Sequence, residues 1–198
     1  IVFVSPSDHL ILDLNAYKLR VAEAEKLAEA GYLVTFGIQP TFAETGFGYI
    51  EVDENASLGV SNGFKVLSFR EKPDIKTAES FISAGNFLWN SGMFVFKAGV
   101  YLSELMINSP EIYEKSKNAF DSAEKYNDVG LGHSVIKIQN ELMSLIPSNS
   151  IDYAVMEKSK KVACVKSSFG WNDLGSFDSL YALLEKDSNG NTNDANLI

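Results

Sequence analysis

The chain has 198 residues, of which 45% are hydrophobic and 22% charged, the proportions of a globular protein with one full core. A formal net charge of −9 argues against nucleic acid as a partner, since a phosphate backbone would be repelled, and leaves any anionic ligand to a few local cations or a metal. The single cysteine, Cys164 in Val-Ala-Cys-Val, cannot close an internal disulfide and reads as a buried thiol of a reducing compartment. With no membrane-length apolar run and no leader sequence, the expectation is a cytoplasmic protein without a membrane partner.

Ile1 to Val4 is a continuous apolar run, suited to a strand covered on both faces, and it empties into Ser5-Pro6-Ser7-Asp8-His9. Asp8 thus stands where open α/β sheets bind ligands. Leu14, Tyr17, Val21, Ala24 and Ala28 repeat at helical spacing up to Gly31, and Tyr32 to Ile38 follows as a buried strand. Strand, helix and strand imply a right-handed crossover between parallel strands. Tyr49 to Val52 and Phe64 to Phe69 read as strands joined through Ser61-Asn62-Gly63. Gly46-Phe47-Gly48 is too short for a dinucleotide loop and precedes a strand, so it reads either as a turn or as a close approach of backbone to ligand.

Lys76 to Ala84 is expected to be helical, and Phe87 to Phe96 a strand interrupted by Asn90-Ser91-Gly92. Helices are expected over Val100 to Ile107, Glu111 to Lys125, Val135 to Leu145 and Tyr153 to Lys158, then a strand over Lys161 to Lys166, a polar loop from Trp171 to Gly175 and a helix from Phe177 to Leu184. A domain over residues 1–186, followed by a turn-like tail over 187–198, accounts for the whole chain.

The chemistry concentrates between Phe69 and Phe96. Glu71 and Lys72 close an apolar strand and are stopped by Pro73, which cannot continue a ladder. Asn90 brings an amide into a run that otherwise asks for burial. A carboxylate, an ammonium, an amide and bare glycine backbone suit a polyhydroxylated, phosphorylated ligand. One at a time these residues also have ordinary readings: Asp8 as a turn or cap, Glu71-Lys72 as a solvated strand end, Asn90 as a bulge, Asp173 as a loop residue, and His9 as local structure.

Six segments in order, SPSDHLI, TGFGYIEV, FREKPD, GNFLWNSGMFVF, NSIDYAVMEKS and GWNDLGSFDSLY, resemble the mannose-1-phosphate guanylyltransferases, bacterial sugar nucleotidyltransferases often fused to a mannose-6-phosphate isomerase. The resemblance spans residue 5 to about residue 181 and implies a mixed, mainly parallel, Rossmann-like α/β sheet flanked by helices. It also implies synthesis of GDP-mannose and pyrophosphate from GTP and mannose 1-phosphate with Mg²⁺, and a possible homodimer. Carried over by motif, Asp8 and Asp173 would be the metal carboxylates, Gly48 would meet the sugar through its backbone, and Glu71 would take sugar hydroxyls. Lys72 would take the sugar phosphate, Asn90 would bind the sugar, and Asp152 would lie near the site; Lys72, Asp8 and Asp173 are the expected catalytic set. The family's glycine-rich triphosphate loop does not occur in this sequence, which therefore reads as N-terminally incomplete and expected to clamp GTP poorly. Phe177 stands where the family usually has Trp, with an aromatic packing role expected to survive. The rival readings are transfer of another nucleotide or to another hexose 1-phosphate, and a non-catalytic sugar-phosphate-binding module.

Overall fold

The computed structural model describes residues 1–128, 133–188 and 190–192. In chain order the elements are β1 (Val2–Val4), β2 (Leu10–Ile11), α1 (Leu14–Glu29), β3 (Leu33–Ile38), β4 (Tyr49–Ser57), β5 (Gly63–Arg70), α2 (Ile75–Ala84) and β6 (Phe87–Phe96). They continue with α3 (Ala98–Asn108), α4 (Pro110–Asp121), β7 (Glu124–Asp128), β8 (His133–Lys137), α5 (Asn140–Ser144), a π-helical turn (Asp152–Met156), β9 (Val162–Ser167), β10 (Trp171–Asn172) and α6 (Phe177–Leu183).

The main sheet runs β1-β6-β3-β9-β5-β4, with β4 also pairing β6. The α/β class and the mixed sheet are as expected, but the expectation of a mainly parallel sheet is corrected: of its pairings only β3–β9 is parallel. The reason is β6, which inserts antiparallel between β1 and β3. Those two strands still point the same way, so the crossover through α1 joins second neighbours rather than adjacent strands. Tyr49–Glu51 pair with Trp89–Phe87 at one end of β6, while Val2–Val4 pair with Phe96–Phe94 at the other, so the sheet curls around its longest strand.

Both faces of this sheet are covered. Ala24, Leu27 and Ala28 of α1 pack on Val34, Phe36, Val95 and Val165. On the other face Leu33, Ile50, Leu88 and Phe94 meet Leu105 of α3 and Ala154, Val155 and Met156 of the π turn. Asp13 starts α1 by accepting the Asn15 and Ala16 amides, and Gly31, at φ +97°, turns the chain out of it. Gly37 is small for a packing reason: a Cβ there would lie 2.5 Å from Cys164 Sγ.

Several expectations are corrected. β1 is an edge strand that among the described residues pairs with β6 alone, and Ile1 to Val4 are 38–53% exposed, because an apolar run does not by itself say what covers a strand's faces. The helix expected over Glu111 to Lys125 ends at Asp121, and Glu124–Asp128 pairs with His133–Lys137 as a separate two-stranded ladder. The helix expected over Val135 to Leu145 is therefore a strand followed by the short α5. β-Branched Val135 and Ile136, facing Tyr126 and Lys125, favour the pleat over the helix. β6 continues through Asn90-Ser91-Gly92 as a bulge, with Gly92 at φ +71° and the β3 register shifting between Thr35↔Phe94 and Gly37↔Asn90. Phe177 is 91% exposed, so the packing role expected of it is absent. Of the expected tail, residues 187, 188 and 190–192 fold back through a bridge between Lys186 and Thr192, and residues 189 and 193–198 lie outside the described residues.

Candidate active site

The sequence places each expected site residue at the end or irregularity of an element. Gly48 leads into β4, Glu71 and Lys72 leave β5, Asn90 lies at the bulge of β6, Asp152 opens the π turn, and Asp173 follows β10. All six line one cleft of about 200 Å³. Asp8 does not line it; its neighbour His9 does. The β2–β10 ladder pairs Asn172 with Leu10, which brings the loops carrying Asp173 and Asp8 to the same end of that ladder. Leu102, Leu105, Tyr113, Phe120 and Met143 line a larger apolar hollow of about 570 Å³, but its one cation, Lys117, is already paired with Asp121.

Asn90 is the anchor of the cleft. Its Oδ1 accepts the Thr35 hydroxyl at 2.8 Å and the Gly92 amide at 3.2 Å, while its Nδ2 donates to Asp152 Oδ1 at 3.1 Å. Its backbone N–H donates to the Gly48 carbonyl at 2.8 Å. A buried amide in the middle of a sheet is thereby satisfied, with one Nδ2 hydrogen left for a ligand. The reason for glycine at position 48 is equally specific: a Cβ would lie 2.3 Å from Glu71 Oε2, so the Glu71 carboxylate packs directly over the Gly48 backbone.

Glu71 and Lys72 are held in an unusual turn. Lys72 has φ +46°, a left-handed conformation that costs an L-residue free energy, and its N–H donates to the Phe47 carbonyl at 3.2 Å. The Glu71 N–H donates to Glu157 Oε1 at 2.9 Å. Glu71 Oε2 is buried without a hydrogen-bond partner among the described residues. Burial and then the Asp152 charge push the Glu71 carboxyl up to about 7, against a downward pull from Lys72, with Glu157 adding to the rise. Burial also raises Asp152, opposed by hydrogen bonds that include those to Ser150 and Asn90. Among the described residues the Lys72 ammonium is in no ion pair, which leaves it available to an anion.

An aromatic wall closes one side. Trp171 Nε1 donates to His9 Nδ1 at 3.1 Å, and Phe47 meets Trp171 edge-on at 5.3 Å between centroids. Leu174, at φ +53°, lets the loop double back so that Asn172 Oδ1 accepts the Leu174 amide and Asp173 Oδ1 the Gly175 amide. Among the described residues no three His, Cys, Asp or Glu side chains converge into a complete metal cage. Asp8 and Asp173, on loops at one end of the β2–β10 ladder, offer carboxylate oxygens, the donor type of a hard divalent cation, with Asp173 in the cleft lining and Asp8 outside it.

Residues 1–190 match the family described as Nucleotidyl transferase. The chain belongs to the nucleotidyl transferase family. Within it, the chain is 40% identical over 201 residues to a mannose-1-phosphate guanylyltransferase of Salmonella montevideo, covering 100% of this chain and 41% of that protein. It is 40% identical over 200 residues to the alginate biosynthesis protein AlgA of Pseudomonas aeruginosa, covering 100% of this chain and 40% of that one. The chain thus spans about 40% of the length of these curated relatives. Among solved structures, one described as mannose-6-phosphate isomerase from Helicobacter pylori superposes with a TM-score of 0.77 at 38% identity, over 86% of this chain and 63% of that one. One described as mannose-1-phosphate geranyltransferase from Thermus thermophilus superposes with a TM-score of 0.76 at 29% identity, over 93% and 50%.

The sequence pointed to Gly48, Glu71, Lys72, Asn90, Asp152 and Asp173, and the fold gathers these in one cleft. It did not point to Glu157, nor to the wall of Phe47, Trp171 and His9, with His9 read only as local structure. Glu157 carries a signal only in its spacing, five residues after Asp152.

Proposed function

We propose that the cleft binds a hexose 1-phosphate as the acceptor half of a nucleotidyl transfer, and that the reaction is the formation of GDP-mannose and pyrophosphate from GTP and mannose 1-phosphate. The observation that carries this reading is the junction of β5. There a carboxylate oxygen on Glu71 and an ammonium on Lys72, neither with a partner among the described residues, face Asn90 and Asp152 across one cleft. Relatives named for this activity, and for alginate and xanthan biosynthesis, favour mannose over other hexoses and polysaccharide precursors as the end use.

In this reading Glu71 Oε2 and the free Nδ2 hydrogen of Asn90 hold sugar hydroxyls, while Lys72 meets the phosphate as a point charge. An ionised oxygen of mannose 1-phosphate attacks the α-phosphorus of GTP, the bond to the β-phosphate oxygen breaks, and pyrophosphate leaves. No general base is needed, because the nucleophile is already ionised; positioning and charge neutralisation supply the rate. Mg²⁺ held by Asp8 and Asp173 would neutralise triphosphate charge where the two substrates meet. A buried, protonated thiol at Cys164 suits the cytoplasm, and a homodimer is tested by sedimentation.

The test is titration of the chain with mannose 1-phosphate by calorimetry, with glucose 1-phosphate and inorganic phosphate as controls, followed by pyrophosphate release from GTP, UTP and dTTP with Mg²⁺. Saturable binding that prefers mannose 1-phosphate is expected. No binding of any sugar phosphate would overturn the reading of the cleft, and transfer from UTP or dTTP in preference to GTP would overturn the guanylyl assignment. Binding without pyrophosphate release would uphold the sugar-phosphate reading of the cleft, since a chain expected to clamp GTP poorly can bind the sugar phosphate without turning it over.

A further inference from the structure

Asp152 lines the cleft and Glu157 accepts the amide of Glu71, which also lines it, and the π turn is what puts both carboxylates on that side. The Glu157 N–H donates to the Asp152 carbonyl at 2.9 Å, a bond between residues five apart that stacks one above the other. In an α-helix the same two residues would stand about 140° apart around the axis, and one of them would face away. The turn is held rigidly: Ala154, Val155 and Met156 are buried, the Ser109 hydroxyl donates to the Ala154 carbonyl at 2.8 Å, and Lys158 Nζ donates to the Asn108 carbonyl at 3.2 Å. From this support Asp152 reaches Asn90 and Glu157 reaches the Glu71 amide.

We propose that Glu157 is a positioning residue for the sugar-phosphate subsite: its carboxylate fixes the Glu71 amide and, through that turn, the directions of the Glu71 carboxylate and the Lys72 ammonium. The inference rests on the sugar-phosphate reading of the cleft. Lys72 holds a left-handed backbone conformation that is stable only if its surroundings determine it. Two hydrogen bonds do so, one from Lys72 N–H to the Phe47 carbonyl and one from Glu71 N–H to Glu157. The second ties the junction of β5 to the buried support of the π turn. Without it the turn is free to relax, and the two side chains that meet the ligand lose their alignment. Glu157 acts through the position of its oxygen, so its charge is secondary.

Three variants separate these possibilities. In Glu157→Gln an amide oxygen remains at the same reach. In Glu157→Asp the charge remains but the oxygen is withdrawn by one methylene, and in Glu157→Ala both are lost. Calorimetric affinity for mannose 1-phosphate is expected to fall about tenfold in the Asp and Ala variants and to stay within about threefold of wild type in the Gln variant. The Glu71 amide proton, followed by NMR without ligand, is expected to move upfield in the Asp and Ala variants and to hold in the Gln variant. Equal affinity in all four proteins, or Asp binding better than Gln, would overturn the proposal; the second result would make the role electrostatic. If Ala does not fold, the Gln and Asp comparison decides alone. If wild type binds no sugar phosphate, the reading of the cleft has failed, while the amide shift still reports whether Glu157 holds Glu71.

Discussion

Gly48→Ala separates the site from the fold. The added Cβ would lie 2.3 Å from Glu71 Oε2 and 3.3 Å from Asn90 Cβ. The carboxylate tip is the end of a flexible side chain, while Asn90 is fixed by four hydrogen bonds in β6, so Glu71 is the group that moves. Stability should change little: alanine restricts the unfolded chain, a gain of about 0.4–1 kcal/mol, against about 0.5–1.5 kcal/mol for driving Glu71 off its rotamer. Binding should change much, because a displaced carboxylate forfeits hydrogen bonds to the sugar of about 1.5–3 kcal/mol, roughly a ten- to hundredfold loss of affinity. Urea unfolding and calorimetric titration with mannose 1-phosphate measure the two separately. Wild-type affinity in a protein destabilised by several kcal/mol would refute the reasoning, since it would mean that the backbone gave way and the carboxylate stayed.

Three further outcomes are expected. The folded Glu71 carboxyl binds its proton up to about pH 7, against an ordinary value of 4.5, so the native state holds more protons between those limits and stability should decline as pH rises through that window. With half-exposure screening the charge, the decline is on the order of 1 kcal/mol, and in Glu71→Gln urea midpoints should lose that slope. Gly37→Ala drives a methyl to 2.5 Å from Cys164 Sγ and 2.6 Å from Leu88 Cδ1, and should cost about 1–3 kcal/mol in thermal unfolding, part of it recovered by adding Cys164→Ala. Cys164 is fully buried with its thiol pushed up to about 12, so a thiol-specific chromophore should react only as fast as the protein unfolds; prompt labelling of native protein would contradict that burial.

What the sequence made legible follows from where periodicity and punctuation are unambiguous. α1 and the buried strands β3 and β9 announce themselves through a helical stripe and β-branched runs, and Pro73 marks the end of β5 with Glu71 and Lys72 in place. The region from Glu124 to Ser144 did not, because Val135, Ile136, Ile138 and Leu142 suit a helical stripe as well as a strand, and the pairing that decides between them is with Tyr126 and Lys125. The mainly parallel sheet was misjudged for a similar reason. Nothing local in Phe87–Phe96 states that it inserts between β1 and β3.

The site was legible in its chemistry and not in its wiring, and the difference has a physical cause. Glu71, Lys72 and Asn90 stand out because each is a polar group in an apolar neighbourhood, which a sequence displays. The bonds that align them connect residues far apart in the chain: Thr35 to Asn90, Asn90 to Asp152, Glu71 to Glu157. Asn90 links β6, β3 and the π turn because a bulge in β6 lets its amide serve Thr35 on one side and Asp152 on the other. The bulge puts two extra residues into β6 against β3 and the π turn adds one to a helical turn, and each thereby re-aims a polar side chain into the cleft. A cleft built on such irregularities is fixed by the sheet core beneath it, so its geometry should survive changes at the exposed rim and fail at the few buried contacts that hold the irregularities in place.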